Sequence, residues 1–381
     1  MILKRRLTKL TIGILCLCLL LPLQGCGGKA DEIRIGINLE LSGMLAQYGR
    51  ACQEGILLAV EEQNAQGGIN GKKVIIKQAD NRSQNYDSAV CAQRLVDVED
   101  CIAIIGPSTS GGVKSELLCD LGVPVLVPSA TSDTLLPEDT QENHMFRICY
   151  TDTAQGKAMA EYADKLGFRS VAVFTDGGSD YSRGTSEVFR THFEWLGGKI
   201  ITQEYYTSGD TDFLAQLGKL KAEQPDAIYL PGFYAEAGMI IRQARELGMD
   251  CAFLSGDSFD SGALEELVGK KEYLSKIYFT NHYAPGENRL EAFAKLFEER
   301  YGYYPGSYSA LGYDTAKLLF WAIEQAGEDP QAIERALEQM KSFSGVTGSF
   351  FFDEAHNAVK EVELNGIENG VRFAVKTGEG D

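Results

Sequence analysis

The stretch "VPVLVPSATSD", residues 123–133, stays apolar through Val127 and then turns to proline and small hydroxyl residues. An apolar run of this length reads as a strand buried on both faces of a parallel sheet. Where it ends, Ser129, Ala130 and Thr131 stop packing and present polar groups instead.

Working outward, the same event recurs. "IRIGI" (33–37) leads to "LSGMLAQYG" with Tyr48, and "CIAIIG" leads to "PSTSGG" with Ser108, Thr109 and Ser110. "VAVFT" leads to "DGGSDYSRG" with Tyr181, and "AIYLPG" to Phe233, Tyr234 and Glu236. "CAFLSG" leads to Asp257, and "KIYFTN" to His282 and Tyr283. Helical patterns separate these runs. From about Gly49 to Gln66, for instance, Cys52, Ile56, Val60 and Gln63 recur on one face. The glycines of "QGGING" then suit the left-handed backbone that ends a helix. Further helices are predicted near 86–98, 112–121, 184–196, 213–222 and 236–247, and helices dominate from Arg289 to Met340.

Alternating strands and helices with continuous apolar strands specify an α/β fold with parallel sheets covered on both faces. The strands are too many for one sheet of this size, and Tyr150–Ala154 interrupts the series. Two doubly wound lobes joined by a hinge of several crossings are therefore predicted. Residues 33–151 plus 283–343 form the first, and 152–282 plus 344–381 the second.

The chain begins with Lys4, Arg5, Arg6 and Lys9, followed by an apolar run to Leu23 and then small residues. That is the pattern of an export signal, too short to span a membrane comfortably. "LQGC", ending in Cys26, is similar to a lipoprotein processing site. It implies a signal peptide over 1–25, lipidation of Cys26, and a tether over 26–32. Loss of residues 1–25 leaves 381 − 25 = 356 residues and removes four positive charges, so the formal charge goes from −18 to −22. A surface this acidic disfavours nucleic acid or anionic lipid as a partner.

Of nine cysteines, Cys52, Cys91, Cys101, Cys119, Cys149 and Cys251 remain beyond the signal and Cys26. None forms a Cys-x-x-Cys pair or sits near a histidine cluster, so no metal site and no cofactor are predicted. Their apolar contexts suit buried thiols as well as bridges.

In open α/β sheets, ligands bind beyond the carboxyl ends of the strands. Here the first lobe offers hydroxyls and backbone amides to an anion, and the second a carboxylate and aromatic rings. Charges taken out of water must be paired, and an α-amino acid matches both sets. Singly, each loop could as well be a turn or a helix N-cap.

At larger scale the sequence resembles the type I periplasmic binding proteins of branched-chain amino acid ABC transporters. The shared motifs run in order: "IGINLELSGMLAQYG", "AVEEQNAQGGINGKK", "IIGPSTSG", "VPSATSDTL", "FRICYTDTAQG", "PDAIYLPGFYAEA", "LGYDTAKL" and "GVTGSFFFD". The resemblance implies that Ser110 and Thr131 hold the ligand carboxylate, beside Ala130. It gives the ammonium to the Ser129 carbonyl and Asp257, and the side chain to Tyr48, Tyr181, Phe233 or Tyr234, and Tyr283. Asp152 and Gln155, in "DTAQG", match a hinge-side motif. It further implies permease and ATPase partners, an extracytoplasmic location, anchoring through Cys26, and a monomer. Asp257 stands where Leu/Ile/Val binders often have Glu, which leaves the ligand's side chain open.

An enzyme is disfavoured. "GPSTSGG" is not a G-x-S-x-G elbow, no phosphate loop is visible, and His144, His192, His282 and His356 are scattered. His282 alone could edge the cleft. A receptor ectodomain would need a later membrane span, which the sequence does not offer after residue 30. An amide, urea-like or aromatic acid ligand remains an alternative on the same fold.

Overall fold

A computed structural model describes residues 32–117, 119–136, 144–283 and 288–375. The leader and Cys26 lie outside the described residues. No helix among the described residues is long and apolar enough to cross a membrane.

The first sheet has strand order β2-β1-β3-β4-β5. Its strands are β1 (Glu32–Leu39), β2 (Lys73–Asp80), β3 (Ala103–Ile105), β4 (Val125–Val127) and β5 (Met145–Arg147). β1, β3, β4 and β5 run parallel. Helices α1 (Ala46–Ala65), α2 (Asn85–Asp97) and α3 (Ser110–Glu116) connect them. The apolar run that opens at Val123 becomes β4, whose three residues are all buried.

The second lobe repeats the scheme. α4 (Asp152–Lys165) leads into β6 (Ser170–Asp176), α5 (Asp180–Trp195), β7 (Lys199–Tyr206) and α6 (Leu214–Glu223). There follow β8 (Ala227–Tyr229), α7 (Tyr234–Glu246), β9 (Ala252–Ser255), α8 (Gly262–Val268) and β10 (Ile277–Asn281). β7, β6, β8, β9 and β10 are parallel neighbours in that order. Each lobe thus reverses its winding beside its first strand, between β1 and β3 and again between β6 and β8. Ligands settle at such switch points in open sheets.

The chain then returns to the first lobe through α9 (Asn288–Tyr301), α10 (Ser307–Ala326) and α11 (Pro330–Glu338). A three-stranded ribbon follows: β11 (Phe343–Gly345), β12 (Gly348–Phe352) and β13 (Ala358–Val359). It corrects the expected boundary near 343. Phe350 and Ala358 share a core with β1 and α10, and the Arg147 amide donates to the His356 carbonyl at 2.9 Å. Buried Asp314 of α10 accepts from the Val346 and Thr347 amides, both at 2.8 Å. The ribbon therefore packs on the first lobe, and the last crossing comes after Val359.

Beyond it, β14 (Glu363–Glu368) adds antiparallel to β10, and β15 (Val371–Ala374) pairs with β14. Their turn is Asn369-Gly370, with φ of 50° and 71°. Positive φ at both central residues is the two-residue hairpin geometry that Asn-Gly favours.

All six cysteines among the described residues are free thiols. Burial pushes the Cys149 thiol up to about 12, so it stays protonated at neutral pH. Glu116 is a buried acid on α3 whose Oε2 accepts from Asn38 Nδ2 at 2.8 Å. Burial pushes its carboxyl up to about 8. The folded chain therefore holds this proton at pH values where the unfolded chain has lost it, and stability falls as pH rises from about 4.5 to 8. Glu116→Gln should remove that slope, at most about 1.4 kcal/mol per pH unit. Urea unfolding of both proteins at pH 5 and pH 8 checks this; equal slopes would contradict it.

Candidate functional site

Three helix starts position the site. Thr109 caps α3 by accepting from the Gly112 amide at 3.4 Å, which sets Ser110 at the helix start beside β4. Thr151 caps α4 by accepting from the Ala154 amide at 3.3 Å, placing Asp152 and Gln155 one turn apart on the buried face. Ser179 caps α5, accepting from the Ser182 amide at 3.2 Å, so that Tyr181 turns inward.

The loop before α3 is held from below. Buried Glu40 accepts from Thr109 Oγ1 at 2.7 Å and from the Ser108 amide at 3.2 Å. Gly106, at φ +107°, lies so close to the Asn38 carbonyl that a Cβ there would collide with backbone. The chain needs glycine at that point to bring Ser108–Ser110 toward the cleft.

Between the lobes lies a small, nearly filled space lined by Tyr48, Ser108, Thr109, Ser110, Ser129, Thr131, Tyr181, Phe233, Asp257, Ser258 and Tyr308. Thr131 and Asp257 face the same space. Ser108 Oγ is buried with no partner among the described residues, leaving a hydroxyl for a ligand. The Ser129 hydroxyl instead donates to the Ser108 carbonyl at 3.0 Å and ties the two loops together.

On the opposite wall, the Tyr181 ring stacks on Phe233 with centroids 5.5 Å apart. Its hydroxyl donates to Ser258 Oγ at 3.1 Å, and Ser258 Oγ donates to the Gly232 carbonyl at 2.8 Å. Asp257 is 2 % exposed. Burial pushes its carboxyl up to about 7, against a downward pull from Tyr181. A cation that pairs with such a carboxyl favours its charged form.

Asp152 and Gln155 connect the halves behind the pocket. The Asp152 amide donates to the Thr131 carbonyl at 2.8 Å. Gln155 Nε2 donates to Asp152 Oδ1 at 3.0 Å, while its Oε1 accepts from the Asp257 amide at 3.2 Å and Thr280 Oγ1 at 3.0 Å. Both side chains are fully buried. A single amide thus couples the first-lobe loop to the Asp257 backbone.

Three expected residues stand elsewhere. Tyr283 does not line the space; it packs with Leu58, Leu290 and Phe293 and donates to the Pro305 carbonyl at 2.7 Å. Its position after β10 carries it past the pocket to the crossing. Ala130 points into the core with Val125 and Val127, and its carbonyl accepts from Arg147 and Cys149. Tyr234 lies behind Phe233, so of that pair only Phe233 reaches the space. Two residues were missed. Ser258 sits directly beside Asp257 and was within reach of the strand-end argument. Tyr308 begins a helix rather than following a strand, so that argument could not find it.

The structure is closed. The Tyr48 hydroxyl, from α1, donates to the Ser258 carbonyl at 2.7 Å and accepts from the Tyr234 amide at 3.0 Å. Tyr234 returns a bond from its hydroxyl to the Met44 carbonyl at 2.5 Å. Asp260 accepts from the Ser307 amide at 2.7 Å, and Lys114 meets Asp180 at 3.3 Å. Tyr48 and Tyr308 contact each other at 4.5 Å and join the second lobe's apolar core. Tyr48→Phe leaves the Ser258 carbonyl and Tyr234 amide unsatisfied only in the closed form. Closure should weaken by about 1–3 kcal/mol, read as a raised radius of gyration in X-ray scattering. An unchanged scattering profile would contradict the latch.

Residues 32–370 match the family described as Periplasmic binding protein. Among solved structures, the chain is similar to the branched-chain amino acid transporter substrate-binding protein LivJ of Streptococcus pneumoniae, determined with isoleucine. The two are 36% identical with a TM-score of 0.85, over 91% of this chain and 99% of that one. The leucine-binding protein LivK of Thermotoga maritima is 34% identical with a TM-score of 0.83, over 90% and 98% of the two chains. A Leu/Ile/Val-binding protein homologue of Brucella abortus is 29% identical over 336 residues, 86% of this chain and 88% of its own.

Proposed function

The chain belongs to the periplasmic binding protein family, and from that premise we propose that it captures a branched-chain amino acid outside the cytoplasmic membrane for an ABC importer. One observation carries the reading: hydroxyls of one lobe and a carboxylate of the other line a single buried space. That inventory suits a zwitterion, and the matching family is one of binding proteins. It is the inventory of a binder.

In this reading, Ser108, Ser110 and Thr131 receive the ligand carboxylate on the first lobe. Closure then brings Asp257 over the ammonium, while Tyr181, Phe233 and Tyr308 surround the side chain. Since Asp257 meets the ligand only when the lobes are shut, it favours the closed state as well as adding affinity. Among the described residues, the lobes we assign are 33–151 with 283–359, and 152–282 with 360–375. Cys26 would carry the lipid that keeps the protein at the membrane, where the closed form meets a permease and its ATPase.

A thermal-shift panel of amino acids, amides and aromatic acids tests the ligand. Leucine, isoleucine or valine at 100 times its dissociation constant should add about 2.7 kcal/mol to stability. A panel flat for every α-amino acid would overturn the assignment.

A further inference from the structure

His282 follows β10 and is 1 % exposed. Its Nε2 lies 3.0 Å from Asp257 Oδ2, and its ring stacks on Tyr150 with centroids 4.0 Å apart and planes 18° apart. Nδ1 has no partner among the described residues. Among the described residues the imidazole thus has one polar engagement, with the carboxyl that faces the ligand, and a stacked ring that fixes its plane.

We propose that His282 is a positioning residue for ligand capture: as a neutral imidazole it donates Nε2–H to Asp257 Oδ2, keeping that carboxylate ionised and its Oδ1 turned to the ligand's ammonium group. The inference rests on the amino acid reading above and deepens it, because it concerns how the site tells an amine-bearing acid from the same acid without its amine.

The chemistry favours this arrangement. A buried carboxyl with no donor takes up a proton, and a protonated Asp257 would offer the ammonium a far weaker partner. A donated hydrogen bond to the charged form opposes that protonation. The imidazole supplies it without adding charge, since burial holds His282 well below its ordinary value. A cationic partner there would instead compete with the ligand for Asp257. The bond an imidazole makes at one nitrogen sets which nitrogen carries the proton, and here that bond is to Asp257.

The experiment compares His282→Gln with His282→Met. The two side chains are close in size, but only Gln carries a donor, so packing losses are common to both. Calorimetry measures leucine and 4-methylpentanoic acid, its des-amino counterpart, on each variant and on the unaltered protein. Expected is a roughly ten- to hundredfold fall in the preference for leucine in His282→Met, with most of it restored in His282→Gln. Equal preference in the two variants would overturn the proposal. Should His282→Met fail to fold, nitrogen-15 shifts of the unaltered leucine complex decide: protonation at Nε2 is expected, and protonation at Nδ1 alone would overturn it. If the unaltered protein binds no amino acid at all, the ligand reading fails instead, and the two failures are distinct.

Discussion

Alanine at Asp257 is expected to weaken leucine and isoleucine binding by about 2–5 kcal/mol, the range for truncating one side of a buried charge pair. That is roughly thirtyfold to several thousandfold in dissociation constant. The loss has two sources. The ammonium is left in a closed pocket with no anion, and closure loses the contact that distinguishes it from the open state. Asp257→Asn keeps the volume and removes the charge, so it should lose nearly as much. Calorimetry at pH 8, above the value of about 7 to which burial raises the carboxyl, checks both variants. Affinity unchanged in either would remove Asp257 from the ammonium site.

The second large effect is on stability. Asp260 is 5 % exposed; its Oδ1 pairs with Arg372 and its Oδ2 accepts from the Ser307 amide. Burial is the largest single influence and pushes this carboxyl up, but Arg372 and the hydrogen bonds from Ser307 together outweigh it, and the net position is below the ordinary value of 3.8. Arg372→Met should cost about 3 kcal/mol, the low end for breaking a buried pair. Arg372 keeps 29% of its side chain in solvent, which screens the interaction. Because the folded carboxyl titrates below the unfolded one, this stabilisation is present above pH 3.8 and lost as pH falls through the folded value. Urea unfolding at pH 7 should show the drop, and at pH 3 the gap between the proteins should narrow. A variant as stable as the parent at pH 7 would contradict the pairing.

Much of this was legible because strand ends announce themselves. The breaks after Val127, Ile105 and Ser255 put Thr131, Ser110 and Asp257 among the strand-end candidates, the family resemblance singled them out, and all three line one space. Tyr48 was equally visible, although its hydroxyl serves the latch between lobes. What was not legible depended on side-chain direction or on distant packing. Phe233 and Tyr234 are adjacent, and only the helix start at Tyr234 decides which ring meets the pocket. Tyr283 looked equivalent to the other strand-end aromatics until Pro305 claimed its hydroxyl.

The ribbon was misplaced for a similar reason. "GSFFFD" has the alternation of a strand, but nothing local says which lobe it covers; Asp314, over thirty residues earlier, decides that. β14 went unread because "ELNGIENG" holds two Asn-Gly pairs. Only the second forms the turn, while Asn365 sits buried mid-strand with its Nδ2 donating to the Tyr283 carbonyl at 3.4 Å.

Binding of leucine, 4-methylpentanoic acid and 3-methylbutylamine to the unaltered protein at one pH tests the opposed half-sites most directly. The account predicts that the acid without an amine and the amine without an acid each bind at least about thirtyfold more weakly than leucine, since each leaves one buried half-site unmatched. Either analogue binding as tightly as leucine would contradict it.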